Sequence, residues 1–133
     1  MQVHQPSEQF GYALKPSSEG YGNLGEYIRI NSFGARDREF GPKNRDIPRV
    51  VVIGDSFTFG FGVPLEDTYV KQLEVLLAQQ LGQVEVFNLG VTAYQTWHFI
   101  DLLEERVASL EPDLVIGGTW STPASARPGR GSR

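Results

Sequence analysis

Cysteine is missing from all 133 residues, which excludes a disulfide framework, a thiolate nucleophile and any cysteine-based metal site while leaving the redox compartment open. Long apolar runs are missing too. No stretch approaches the roughly 18 apolar residues of a membrane span, and the opening Met1-Gln-Val-His-Gln-Pro-Ser7 has no basic region followed by an apolar core, as an export signal would. No membrane span is expected, and a cytoplasmic location is the default, with the compartment otherwise unknown. Positive charge is in short supply: 12 basic residues stand against 16 acidic ones, a net charge of -4. Nucleic acid and anionic membrane surfaces reward clustered lysine and arginine, so neither is an expected partner. The two histidines, His4 and His98, lie far apart in the chain, and neither a metal site nor a cofactor is expected.

What is present is 40% hydrophobic and 11% aromatic residues, ordinary values for one modest domain. Residues 1–48 read as an N-terminal arm rich in Gly, Pro, Ser and Asn, with one short strand at Glu26–Ile30 followed by the turn-like Asn31-Ser-Phe-Gly34. Its aromatics, among them Phe10, Tyr12, Tyr21 and Phe33, argue that it packs over the domain next in the chain, since disordered segments are depleted in them. Residues 49–118 alternate β-branched runs with helical periods, the pattern of βαβ units and a parallel sheet. Arg49–Ile53 reads as a strand covered on both faces. A helix capped by Asp67 or Thr68 puts Tyr69, Leu73, Leu76, Leu77 and Leu81 on its inner stripe and ends at Gly82. Val84–Asn88 is the second strand. A second helix spans Thr96–Leu110 with Trp97, Ile100, Leu103, Val107 and Leu110 inward, Glu111-Pro-Asp113 stops it, and Asp113–Gly117 is the third strand. Residues 119–133 change character, with no acidic residue and three of the 12 basic ones. They read as a flexible tail or as an out-of-frame sequence, not as part of the same fold.

In a parallel sheet the loops at the carboxyl ends of the strands gather along one edge, where ligands bind. Three such ends occur: Gly54-Asp55-Ser56, Asn88-Leu89-Gly90 and Gly117-Gly118. A serine directly after a buried strand sits on a rigid scaffold, and glycines let backbone N–H groups approach a substrate. That is a nucleophile with oxyanion donors in outline. Asp55 reads as a loop-bracing acid. Gly60-Phe-Gly62 fails the dinucleotide fingerprint, because Leu65 stands where the third glycine belongs, and reads as a turn.

Val51-Val-Ile-Gly-Asp-Ser-Phe-Thr-Phe-Gly-Phe-Gly-Val63 resembles the first block of the SGNH (GDSL-like) lipases and esterases, and Val86-Phe-Asn-Leu-Gly-Val91 resembles the second. Arg29-Ile-Asn-Ser-Phe-Gly-Ala-Arg-Asp37 is similar to the arm before the nucleophile block in bacterial members. The resemblance covers residues 25–117. It implies a three-layer α/β/α sandwich with a flavodoxin-like parallel sheet, the Arg49 strand central, right-handed crossovers, and an incomplete C-terminal end. It also implies Ser56 as nucleophile, the N–H groups of Ser56 and Gly90 as oxyanion donors, and Gly54, Asp55 and Asn88 as supporting motif residues. The substrate would be a small-molecule or carbohydrate acyl ester.

The family's third block, Gly-x-Asn-Asp, and its last, Asp-x-x-His, have no counterpart: Gly117-Gly118-Thr119-Trp120 leads into the tail. Without a base the serine hydroxyl is a weak nucleophile. His98 reads as a helix residue and His4 as part of an unstructured start, so neither is assigned as base. The Phe57–Phe61 stretch lines an acyl pocket or packs. The expectation is a serine hydrolase by family, inactive as it stands, with the alternative of a noncatalytic α/β binding module or gene fragment. Oligomeric state is left open. Without further strands the Asp113 strand is an exposed edge prone to aggregation.

Overall fold

A computed structural model describes residues 3–92, 94 and 96–118, the side chain of Thr96 excepted. The expectations for residues 119–133 lie outside the described residues.

The centre is a parallel sheet of three strands, β5 (Arg49–Gly54), β6 (Glu85–Gly90) and β7 (Leu114–Gly118), in the order β6-β5-β7. The Arg49 strand is central, as the sequence leads one to expect, and every residue of it is buried. Its apolar run is continuous because both faces are covered. Val50 and Val52 point to one face, where they join Val70, Val84 and Val86, with Leu73 and Leu77 packed against them. Val51 and Ile53 point to the other, into a larger cluster with Phe59, Phe87, Leu89, Phe99 and Leu102. The helix α2 (Tyr69–Leu81) supplies the cover on the first face, and the second helix together with the N-terminal arm covers the other.

Helix α2 starts where Thr68 caps it, its side chain accepting from the Lys71 N–H, and ends at Gly82, whose positive φ of 80° suits glycine. Its inner stripe differs from the expected one. Val70 and Lys71 are buried and Leu73 and Leu77 half-buried, whereas Tyr69, Leu76 and Leu81 are exposed.

The second helix is not one regular rod. It is α-helical over Thr96–Leu102 (α3), widens to a π turn at Leu103–Val107 and closes in a single 3-10 turn at Ala108–Leu110. The wide turn inserts one residue into the period. Phe99 and Leu102 are buried three apart, and the next buried apolar residue is Val107 at a spacing of five, followed by Leu110. Ile100 and Leu103, expected inward, are therefore exposed.

The arm holds more structure than one strand. Two antiparallel hairpins are present: β1 (His4–Ser7) with β2 (Gly11–Leu14), and β3 (Ser18–Tyr21) with β4 (Tyr27–Ile30), the last being the expected strand. His4, read as part of an unstructured start, is therefore fixed in β1 opposite Leu14. Val3, Phe10, Leu14, Ile28 and Ile30 enter the larger core cluster, so the arm does pack over the sheet.

The outer edge of β6 is closed by side chains. Glu74 accepts the Val86 N–H at 2.7 Å, Lys71 Nζ donates to the Val86 carbonyl at 2.7 Å, and Asp37 accepts the Asn88 N–H at 2.9 Å. Lys71 Nζ also lies 2.7 Å from Asp37 Oδ1, and Arg38 holds Glu74 through two nitrogens at 2.8 and 3.0 Å. Polar side chains thus take the place of a fourth strand. At the amino end of β5, buried Arg49 donates to Glu85, to the Leu110 carbonyl and to the carbonyls of Gly41 and Pro42, with its guanidinium 4.8 Å from the Phe87 ring centre. It ties both flanks to the central strand.

Candidate active site

The carboxyl ends of the three strands come level, since Gly54 is in register with both Gly90 and Gly118. Directly after Gly54 the chain turns into a one-turn helix, α1 (Ser56–Phe59). Asp55 caps it, its Oδ1 accepting the Phe57 N–H at 3.0 Å, which agrees with its reading as a bracing acid. Ser56 opens the helix and is half-buried. Its hydroxyl makes no hydrogen bond to any described residue, and its N–H, at the first helical position, likewise has no acceptor among them.

Three glycines let α1 lie this close to the sheet. A Cβ on Gly90 would stand 2.3 Å from the Phe59 nitrogen and 2.6 Å from the Thr58 carbonyl carbon. One on Gly54 would stand 2.0 Å from Thr58 Oγ1, and one on Gly118 2.1 Å from the Tyr69 hydroxyl. Thr58 is fully buried beneath the turn, with its hydroxyl 2.6 Å from that of Tyr69 and 3.3 Å from the Gly118 carbonyl oxygen. The turn carrying Ser56 is therefore pinned to all three strand tips.

The far end of the turn is held from the arm. Arg36, 1% exposed, donates through Nη1 to the carbonyls of Phe59 and Gly60 at 3.0 and 2.7 Å, and through Nη2 to those of Val63 and Tyr27 at 2.8 and 3.2 Å. Its guanidinium carbon lies 5.1 Å from the Phe59 ring centre. Replacing Arg36 with methionine keeps much of the bulk and leaves these carbonyls without donors. The expected loss is about 1–3 kcal/mol, read in urea unfolding, with faster amide exchange concentrated at residues 56–63. A loss spread evenly over the chain would mean that Arg36 does not hold this turn in particular. The sequence places this arginine in the Arg29–Asp37 stretch but gives no sign that it holds the turn.

Gly90 and Asn88 are brought to the same place, but the Gly90 N–H is engaged. It donates to Asn88 Oδ1 at 2.9 Å, within one strand end, and Asn88 Nδ2 is buried without a partner. To reach a substrate oxygen this N–H would have to exchange its acceptor. Gly60 and Gly62 both have positive φ, 88° and 81°, as a turn requires. Phe59 is fully buried, whereas Phe57 and Phe61 are 62% and 44% exposed.

Neither histidine hydrogen-bonds to Ser56. His98 is buried, with Nε2 3.2 Å from the Phe10 carbonyl oxygen and its ring stacked on Tyr94 and Trp97. His4 Nε2 lies 3.1 Å from Thr92 Oγ1, in the loop after β6, and burial lowers its pKa, with the positive chain terminus adding to the shift. Tyr12 Oη donates to the Thr92 carbonyl and Tyr94 Oη to the Tyr12 carbonyl, so the first hairpin is fastened to that loop. A cleft of about 590 Å³ lies elsewhere, lined among others by Tyr27, Arg29, Arg38 and Leu65; Ser56 does not line it. Among the described residues no group of three or more His, Asp or Glu could hold a metal ion, and no helix is long and apolar enough to cross a membrane.

Comparison with known proteins adds no assignment: no family model matches the sequence, and no curated protein or solved structure matches it either.

Proposed function

We propose that this chain carries the nucleophile-bearing front part of an SGNH-type serine hydrolase domain, with Ser56 attacking an acyl ester. The observation that carries the reading is the position of Ser56: half-exposed, with a hydroxyl that no described residue engages, at the first turn beyond the central strand of a parallel sheet. Ligands gather at that edge in sheets of this kind. In the proposed chemistry the Ser56 oxygen forms a bond to the acyl carbon as its proton passes to a base. The carbonyl oxygen becomes an oxyanion near the Ser56 N–H, the alcohol leaves protonated, and water resolves the acyl-enzyme. Gly90 serves chiefly to let the turn approach, and donates to the oxyanion only after its N–H leaves Asn88. The three-layer sandwich of the family belongs to the same proposal.

The base is the missing element, since residues 119–133 supply neither Gly-x-Asn-Asp nor Asp-x-x-His. Losing a serine's histidine partner costs on the order of a millionfold in turnover, so negligible esterase activity is expected of this chain. The site is tested by its reactivity. Treatment with a fluorophosphonate in the presence of added imidazole, followed by peptide mass mapping, is expected to label Ser56 ahead of the other serines. The label is expected to be absent from Ser56→Ala. Labelling that merely follows serine exposure, or none at all, favours a noncatalytic module, for which the engaged Gly90 N–H already speaks.

A further inference from the structure

The cleft of about 590 Å³ that Ser56 does not line is walled by β4 and its approach, by residues 36–39 and by residues 64–66. Its size falls within the roughly 300–1,000 Å³ of small-molecule sites. It lies on the β6 flank of the sheet, where Asp37 accepts the Asn88 N–H, whereas the described chain ends in β7, on the other side of β5. One wall is an aromatic ring held from two sides. The Tyr27 hydroxyl donates to Glu19 and the Tyr21 ring meets it edge-on at 5.7 Å, yet Tyr27 is 48% exposed, on the outward face of β4. The apolar Pro64 and Leu65 stand in the same cleft. Two charged side chains of its walls have no hydrogen bond or ion pair with any described residue: Arg29, on the same face of β4 as Tyr27, and Glu66. Glu39 accepts from the Ser32 N–H and hydroxyl and keeps acceptor capacity to spare.

We propose that this cleft binds a neutral carbohydrate, a sugar ring laying its apolar C–H face against Tyr27 while its hydroxyls accept from Arg29 and donate to Glu39 and Glu66. Charge decides among the ligand classes. An anion drawn to Arg29 meets Glu39 and Glu66 on the other walls, and a cation drawn to those meets Arg29 and Arg38. A zwitterion answers both signs, but ion pairs at exposed sites contribute little, and Arg29 and Glu66 are both exposed. A wholly apolar ligand would cover both charges and pair neither. A sugar hydroxyl donates and accepts at once, so one uncharged ring uses both kinds of polar wall and the aromatic one between them. Because Tyr27 is already fixed by Glu19 and Tyr21, its ring offers contact area with little side-chain ordering on binding. The proposal is independent of any catalytic role for Ser56, so saccharide binding and Ser56 labelling can fail separately.

The full chain is titrated with xylohexaose, cellohexaose, mannohexaose and chitohexaose at millimolar concentration, with inorganic phosphate and the free amino acid glycine as charged probes, and followed by amide chemical shifts. At least one saccharide is expected to saturate, moving amides of residues 25–29, 39 and 65–66. Tyr27→Val keeps a strand-forming residue and removes the ring, and is expected to weaken binding about tenfold. Tyr27→Phe keeps the ring and is expected to bind almost as the unaltered chain does. Arg29→Gln is expected to weaken binding about threefold. All three change exposed side chains, and an unchanged melting temperature verifies that the fold survives. Saturation by no saccharide, a response to phosphate or free glycine alone, shifts gathered at residues 54–58 instead of the cleft, or binding indifferent to Tyr27→Val would each overturn the proposal.

Discussion

Asp37→Ala is expected to cost the fold about 3–5 kcal/mol, the loss typical of removing one partner from a buried ion pair. The carboxylate has no exposed surface and meets Lys71 Nζ at 2.7 Å, the Asn88 N–H at 2.9 Å and the Arg38 N–H at 2.8 Å. Its charge is not itself the gain. Burial pushes the Asp37 carboxyl above its usual range, even against Lys71 and the two amides. A carboxyl raised in the fold holds its proton more tightly there than in the unfolded chain. Its contribution to stability therefore grows as pH falls through the raised value toward the ordinary one, and is least at neutral pH. What makes the truncation expensive is what stays behind: a buried ammonium on Lys71 and an edge-strand N–H with no acceptor. It follows that Asp37→Leu combined with Lys71→Met recovers much of the loss. It does not recover all of it, because the Asn88 N–H and the Val86 carbonyl remain on the edge. A double-mutant cycle in urea is expected to show a coupling of roughly 1–3 kcal/mol. Strict additivity would mean that Asp37 and Lys71 brace β6 separately.

This bracing was not legible in the sequence, and the reason is physical. Asp37 follows a stretch that reads as a short strand and a turn, with no local signal for a buried charge, and its partners are 34 and 51 positions away. The arm's hairpins are hidden in the same way. Strands of four residues such as His4-Gln-Pro-Ser7 have little period of their own, and they are fastened by contacts such as Tyr12 to Thr92, 80 positions apart. The three sheet strands were legible because local signals and burial agree: a valine run covered on both faces can only be a buried strand, and Thr68 and Gly82 bound α2 by capping chemistry alone. The stripe of α3 was misjudged because a π turn leaves no mark in composition. It shifts the phase by one residue, and the expected inward positions Ile100 and Leu103 turn outward. At the candidate site, the place of Ser56 could be read from its position right after a buried run. The commitment of the Gly90 N–H to Asn88 could not, since that depends on a side-chain rotamer.

Gly90→Ala is expected to lose about 3 kcal/mol, the upper part of the range for overpacking a filled site, and to lower the melting temperature by roughly 10 °C. The added methyl would meet backbone, not a movable side chain: the Phe59 nitrogen at 2.3 Å and the Thr58 carbonyl carbon at 2.6 Å. Backbone can yield only if the whole turn lifts, and that turn is held at its far end by Arg36, which donates to the carbonyls of Phe59, Gly60 and Val63. The other strand tips set a scale. Gly54→Ala meets both a side chain, Thr58 Oγ1 at 2.0 Å, and a backbone oxygen, that of Gly118 at 2.3 Å, so its cost is expected to approach that of Gly90→Ala. Gly118→Ala meets the Tyr69 hydroxyl at 2.1 Å, the far end of a partly exposed ring that can swing aside, and is expected to cost less. Gly117→Ala meets nothing within 4 Å and is expected to be nearly neutral. Thermal unfolding of the four variants measures the order directly. An equal response at all four would mean that the turn bearing Ser56 is not seated on the strand ends but floats above them, and then nothing fixes the direction in which its hydroxyl faces.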